Sequence, residues 1–545
     1  MALDPSDRDV EMTQAGMTRP KSLLRQLLLH RRIRSRVIQP RLAMPTLSVL
    51  AFLAPLIVYI RTLAPAVYPF DSAELVTGSH VLGIIHAPGY PLYLILGKLF
   101  SLLPIGNVAY RMNLMSAVFG AATSVTTFLV LVELTRRRFI SLAGTFALAF
   151  SYYFWQEAVL AEVYTLETFM IALLLLVLLK WRPVPSRNKL LLLFASLFGL
   201  SLGNRITIVL FLPAIAWYIL AETRGRVLKD AKMLVLMFVA SLLGLCIYLY
   251  LPLRYLADPP LNYGTLYEVN LATPAGVWWM ISGQMYRFFA LGYGLTESLR
   301  ELAYYLGQLW RNFLGIGVLV GLLGWVRLWR DSHRKFVLVF LSFVFSVVFF
   351  VNYRVVDKET MFLPSYLLWT VALVHGYAAI ADLCERCLNH LSPEKTRIRA
   401  ASIVMTTALV IGASGGILNW RWTDRSDDTY AEAFARQVLS SVPANSLIVA
   451  DWCPAVVLEY SQLVEGNRPD VVIFNRSRFE VAQYYRYWNL GLEKEDIFEL
   501  VAQQEFDFLS RHAAGRPLYL VESHLGSSEP YDVYTLFLLL RLSER

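Results

Sequence analysis

The chain has 545 residues, 56% of them hydrophobic and 17% charged, with a formal net charge of +9 and a mean hydropathy of +0.49. Soluble domains are nearer about 45–50% apolar, so this composition excludes an ordinary soluble protein, and the lack of alternating ten-residue strands excludes an outer-membrane barrel. The positive charge is not a nucleic-acid footprint, because residues 1–42 alone hold nine Lys and Arg against four Asp and Glu, and the other basic clusters fall between apolar runs.

In chain order, residues 1–42 read as a basic cytoplasmic leader with no cleavable signal peptide, followed by a retained span from about Met44 to Ile60. Residues 61–110 form a long outer loop. Its apolar part, Leu92–Leu103, is short, bounded by Pro91 and Pro104, and reads as an interfacial or re-entrant helix. Further spans are expected at 113–134, 139–153, 164–179, 190–202, 206–220, 233–250, 313–328, 336–351, 364–383 and 401–418. That makes about eleven crossings, since roughly 20 apolar residues cross a hydrocarbon core. With this count Arg136-Arg137-Arg138 and the later basic clusters fall inside, and residues 43–418 form one transmembrane domain of the cytoplasmic (inner) membrane.

The tail, 419–545, is expected outside the membrane as a small α/β domain. Strands are predicted at 446–451, 471–474 and 517–522, with helices at 455–465, 479–487 and 494–508 between them, the pattern of a parallel layer. Neither G-x-G-x-x-G nor G-x-x-x-x-G-K-[ST] occurs. Asn475-Arg476-Ser477 matches a glycosylation sequon. Cys384 and Cys387 form a C-x-x-C with no second pair to complete a zinc site, and they read as two cysteines on one helix face.

The chemistry concentrates on the outer side. Asp71 and Glu74 are three residues apart, on one face if helical, and His86 follows in His86-Ala87-Pro88-Gly89-Tyr90. Carboxylates at membrane depth cost roughly 2.5–3.5 kcal/mol each, so a pair kept beside a span belongs in a wet cavity. Glu162 with Tyr164, Asn204 with Arg205, Arg254, Arg287, and the set Asn352, Arg354, Asp357, Lys358 and Glu359 fall at the same face. Their convergence predicts a single site. An outer carboxylate can take a proton from an acceptor hydroxyl, which is worth about 10²–10⁴ in rate. Arginine forks such as those of Arg205 and Arg254 suit a phosphate, with Lys358 beside them. Nucleotide donors are not generally supplied outside the cytoplasmic membrane, so a polyprenyl-phosphate sugar arriving from the bilayer fits these requirements. No protein metal site is evident and no cofactor is expected, although a divalent metal stays open. The competing structural reading makes Asp71 a helix cap, with an ion pair from this acidic couple to Arg61.

Phe70–Tyr93, with F-D-S-A-E-L followed by G-I-I-H-A-P-G-Y-P-L-Y, resembles a bacterial and eukaryotic family of membrane proteins. Its eukaryotic members include the transmembrane O-mannosyltransferase of plexin-type receptor domains. The resemblance continues through Arg111–Leu114, Ala161–Leu166, Gly199–Asn204, Tyr250–Arg254, Asp357–Pro364 and Gly466–Val471, and so spans most of the chain. It implies the GT-C superfamily: many spans, a catalytic acid in the first outer loop, and a lipid-phosphate-sugar donor. The acid carried over is Asp71, with Glu74 as the alternative, and His86 matches the family's histidine. Arg205 stands where many relatives are expected to carry histidine. The expectation is thus a GT-C-like polytopic α-helical protein with a small C-terminal α/β domain. It would act as an inverting glycosyltransferase at the outer face, on a protein or glycan acceptor. Asp71 and Glu74 would be catalytic, and His86, Tyr90, Glu162, Tyr164, Asn204, Arg205, Arg254, Arg287 and Lys358 would bind substrate. The alternative is a lipid or solute transporter that uses the same cavity without making bonds, but the two matched halves common in transporters are not evident.

Overall fold

The computed structural model describes residues 43–181, 183–184, 188–355, 358–389, 395–513, 515–523 and 534–539. The leader 1–42 and Asp357 lie outside the described residues. The first helix, α1 (Met44–Arg61), carries a proline in its first turn, where a missing N–H costs nothing. Two short helices follow, α2 (Asp71–Val81) and α3 (Pro91–Ser101). At about 1.5 Å per residue the 11-residue α3 is too short to cross a bilayer. Then come α4 (Val108–Thr135), α5 (Arg138–Ala149), α6 (Tyr152–Ala158), α7 (Tyr164–Lys180) and α8 (Asn188–Leu202). A 3-10 segment, Ile206–Phe211, leads into α9 (Leu212–Thr223), and α10 (Ala231–Leu245) runs on through a further 3-10 turn into α11 (Tyr250–Leu256).

Short α12 (Tyr263–Leu266) and α13 (Pro274–Ile281) precede α14 (Leu295–Asn312), which is bent by 102° from α15 (Ile316–Asp331). The helical part closes with α16 (His333–Val351), α17 (Leu363–Asn389) and α18 (Lys395–Thr423). Among the described residues six helices are long and apolar enough to cross a membrane, or seven if the bent pair is one span. The protein is therefore multi-pass. This number is below the eleven expected partly because the runs at 139–153 and 190–202 fold as the shorter apolar helices α5 and α8.

The run at 139–153 breaks because other helices satisfy the carbonyls that a break frees. The Tyr59 hydroxyl donates to Ala149 O at 2.7 Å, and Asn419 Nδ2 donates to Phe150 O at 2.8 Å. Unsatisfied carbonyls at that depth would cost several kcal/mol. Neither partner is visible in the local apolar pattern.

The last part holds α19 (Tyr430–Ser441), β1 (Leu447–Ala450), α20 (Trp452–Leu463), β2 (Val472–Asn475), α21 (Arg476–Asn489), α22 (Lys494–His512), β3 (Leu518–Ser523) and β4 (Tyr534–Leu539). The sheet order is β2-β1-β3-β4. The first three strands are parallel, in the register Leu447↔Val472 and Leu447↔Leu518, and β4 pairs antiparallel to β3. Every residue of β1 is buried, which suits a central strand flanked on both edges. The antiparallel β4 was not predicted from the sequence. Asn475 is buried, and its Oδ1 accepts from Arg478 N at 3.1 Å, so it caps α21. The sequon asparagine therefore serves as a helix cap here, and its Nδ2 is buried as well.

Candidate functional site

The acidic pair is placed by a backbone clamp. Phe70 adopts φ +63°, a sparsely populated conformation for a bulky residue, and from it the chain enters α2 at Asp71. No side chain caps this helix, so Asp71 does not serve as its N-cap. At the other end Leu82 is left-handed and the last carbonyls of α2 face outward. Arg254 Nε donates to Leu82 O at 2.6 Å, and the Tyr250 hydroxyl donates to Gly83 O at 2.6 Å. Ile84 N–H bonds Leu261 O at 2.8 Å and Tyr263 N–H bonds Ile84 O at 3.0 Å, which carries the Tyr263 ring over α2. The next turn is tied to the α8–α9 connection by Leu92 N–H to Gly203 O at 3.0 Å, and this brings Arg205 to the same place.

Glu74 is fully buried on the inner side of α2. Its carboxylate accepts from the Tyr263 hydroxyl and bonds His86 Nδ1. The other imidazole nitrogen, Nε2, is 3.8 Å from Asp71 Oδ2, so His86 stands between the two carboxylates. Three tyrosine rings, Tyr90, Tyr263 and Tyr286, pack edge-on around the imidazole with centroids at 5.2, 6.5 and 6.3 Å. Burial alone would push the His86 imidazole down. The Glu74 and Asp71 carboxylates outweigh it and lift it to about 9. Burial would likewise push Glu74 up, but His86, Arg478 and Tyr263 hold its carboxyl below the usual range.

Asp71, at the mouth, is about a third exposed and lines a cavity of about 520 Å³. His86, Tyr90, Tyr164, Arg205 and Arg287 line it too. Arg205 is buried, lies 4.7 Å over the Tyr164 ring, and has Nε 3.5 Å from Glu167 Oε2. Arg287 lies 4.4 Å over the Trp488 ring. Ile206, Phe349, Phe350, Val355 and Met361 give one side of the cavity an apolar wall.

Other expected binding residues stand elsewhere. Arg254 is spent on the carbonyls that end α2 and does not line the cavity. Buried Lys358 pairs with Glu301 at 2.5 Å, beneath the Tyr293 ring, away from the cavity lining. Asn204 Nδ2 holds Val163 O at 3.1 Å, which ties the α8–α9 connection to the start of α7. Neither Glu162 nor Glu74 lines the cavity. Glu74 stands behind His86 as its support.

The sequence reading missed what the last part of the chain supplies. Helix α20 packs on α2, and Trp452, Ser477, Arg478 and Val481 close one side of the cavity. Arg478 is largely buried, its side chain 10% exposed, and forms a two-pronged pair with Glu459 at 2.9 and 2.8 Å. Its Nε donates to the Tyr263 hydroxyl at 3.1 Å, and Nη2 is 3.6 Å from Glu74 Oε1. The only signal in the sequence is the close pair of arginines after β2, which is also what a solvated helix start looks like. Among the described residues no group of three or more His, Cys, Asp or Glu is arranged to hold a metal ion.

Comparison with known proteins adds a family context. Residues 71–228 match the family model described as the N-terminal domain of Protein O-mannosyl-transferase TMEM260. The mouse Protein O-mannosyl-transferase TMEM260 is 27% identical over 458 residues, covering 80% of this chain and 63% of the mouse protein. The Dictyostelium discoideum protein of the same name is 23% identical over 551 residues, covering 90% of this chain and 65% of its own length. This chain thus spans less than two thirds of either relative. Among solved structures, ArnT from Cupriavidus metallidurans bound to undecaprenyl phosphate matches with a TM-score of 0.50 at 13% identity. The match covers 79% of this chain and 90% of ArnT. The Archaeoglobus fulgidus oligosaccharyltransferase, in complex with Zn and sulfate, matches with a TM-score of 0.50 at 12% identity, over 88% of this chain and 68% of that one. At such identities the likeness is one of fold, and that fold is the GT-C type.

Proposed function

We propose that the chain is a membrane glycosyltransferase that moves a sugar, mannose in the first instance, from a polyprenyl-phosphate donor to an acceptor hydroxyl at the outer face of the membrane. The observation that carries this reading is the shared cavity: a partly exposed carboxylate, Asp71, and a buried guanidinium, Arg205, line the same 520 Å³ space. The names of the mouse and Dictyostelium relatives support the transferase class and a protein acceptor. The undecaprenyl phosphate bound to ArnT supports a lipid-phosphate donor.

In this reading the donor phosphate lies against Arg205, and its lipid follows the wall of Ile206, Phe349, Phe350 and Met361. Asp71 takes the proton of the acceptor hydroxyl as the oxygen attacks the anomeric carbon. The carbon–phosphate oxygen bond breaks on the opposite face, so the configuration inverts and polyprenyl phosphate leaves with the electron pair. Arg205 offsets the charge that develops on the leaving phosphate, the largest kind of contribution in such sites. His86, held between Glu74 and Asp71, aims the Asp71 carboxylate.

The test is transfer from a synthetic polyprenyl-phosphate mannose to a peptide acceptor, using purified Asp71→Asn and Glu74→Gln proteins. Loss of about 10²–10⁴ in kcat for Asp71→Asn at unchanged folded yield is expected. Full transfer by folded Asp71→Asn would remove Asp71 from the chemistry. Flux of lipid across vesicles without any transfer would favour a transporter.

A further inference from the structure

Beyond the two carboxylates, the site contains a charge chain that crosses between distant parts of the molecule. It runs from Glu459 on α20 to Arg478 on α21, then to Tyr263, Glu74, His86 and finally Asp71 at the cavity. Resting on the proposed transfer reading, we propose that Arg478 is a positioning residue that keeps Glu74 ionised, so that His86 stays protonated and holds Asp71 in place for the acceptor. The segment containing β1–β3 would then be part of the active site, beyond any role in acceptor recruitment.

The geometry makes this a matter of charge balance. Glu74, fully buried, and Glu459, largely buried, face one another across Arg478. Isolated buried carboxylates neutralise rather than stay charged. The guanidinium satisfies both: its two terminal nitrogens fork onto Glu459, one of them also approaches Glu74, and Nε steadies the tyrosine hydroxyl that Glu74 accepts. Without Arg478, Glu74 would draw the proton shared with His86, and a neutral imidazole would release Asp71.

The groups facing His86 are Glu74, Asp71, Arg205, Tyr90, Tyr263 and Tyr286. Those around Glu74 are His86, Tyr263 and Arg478, with Tyr267 stacked on Tyr263 and Glu459 behind Arg478. Among these, Arg205 works against the His86 proton and is in turn occupied by Glu167. Arg478 is therefore the cation that holds the acidic side of the chain charged.

The experiment is the pH–rate profile of transfer, from pH 5 to 10, for the unmodified protein and its Arg478→Gln and Arg478→Lys variants, with folded yield read in parallel. In Arg478→Gln the rate falls about tenfold or more and the alkaline limb moves down by about one pH unit. Arg478→Lys keeps a cation beside Glu74 and retains the wild-type limb. A folded Arg478→Gln protein with the wild-type limb overturns the proposal, and if that variant does not fold, a folded Arg478→Lys protein whose limb moves down overturns it instead. Absence of transfer by the wild-type protein would count against the transferase reading itself. The charge chain is then read by ethoxycarbonylation of His86 with diethylpyrocarbonate, followed by peptide mass spectrometry, since an imidazole reacts only in its neutral form. Modification must start at lower pH in Arg478→Gln than in wild type, and equal onset overturns the proposal.

Discussion

At the scale of single residues, the site turns on two carboxylates with different surroundings. Asp71 meets the cavity, whereas Glu74 is sealed behind His86 and Tyr263. Their titration gives a signed prediction for stability. His86 is lifted from 6.5 to about 9, so its contribution is complete below about pH 6.5 and fades as pH rises through about 9. Glu74 is lowered from 4.5, so its contribution is complete above about that pH and fades only as pH falls through its depressed value. Melting in detergent should therefore be flat between about pH 5 and 6.5 and decline toward pH 9. A His86→Gln protein should melt lower at pH 6 and lose the alkaline decline. A decline of unchanged size in His86→Gln would assign it to other groups.

At the scale of elements, close helix approach depends on glycine. A Cβ placed on Gly324 of α15 would land on Ala372 O of α17, and one on Gly376 of α17 would land on Val320 O of α15. Helices without a hydrophobic drive to associate use such small residues to bring their backbones together. Substitution of Gly324 by leucine should cost at least the roughly 1–3 kcal/mol typical of overpacking. Folded yield after detergent extraction measures this, and wild-type yield would mean that α15 can move away freely. Elements also show where local pattern stops being informative. The apolar run at 139–153 looked like one span, yet Tyr59 and Asn419 stabilise a break within it from sites far along the chain. The outer loop was more legible: α3 is bounded by Pro91 because proline ends or starts helices by its own geometry.

At the scale of the whole molecule, the sheet-bearing segment is joined to the site by several contacts besides Arg478. Trp279 donates to the Tyr485 hydroxyl at 2.5 Å, Arg486 pairs with Glu268 at 3.0 Å, and Arg287 lies over Trp488. A chain ending after Thr423 should reach the membrane yet give no transfer, and it should melt below the 545-residue chain because Glu74 loses its guanidinium partner. Transfer by this shortened chain at wild-type rate would separate the segment from the site. Asp382 takes both Arg137 and Arg327, the latter at 2.7 Å, and so pins the start of α5 and α15 to α17.

Composition and spacing were enough to indicate a multi-pass helical protein, and they pointed to Asp71 and Glu74 on one helix face and to His86 and Arg205 near one cavity, where the structure places them. Those features rest on local physics: apolar run length, helical periodicity, and the cost of charge beside a bilayer. Tertiary structure alone decided which arginines reach the cavity. Arg254 went to the carbonyls of α2, while Arg478 arrived at Tyr263 from 215 positions away, and Tyr263 reached Glu74 across 189. The reason is that a guanidinium will satisfy whatever anion or carbonyl folding presents to it, and chain separations of that length leave no periodic trace in the sequence.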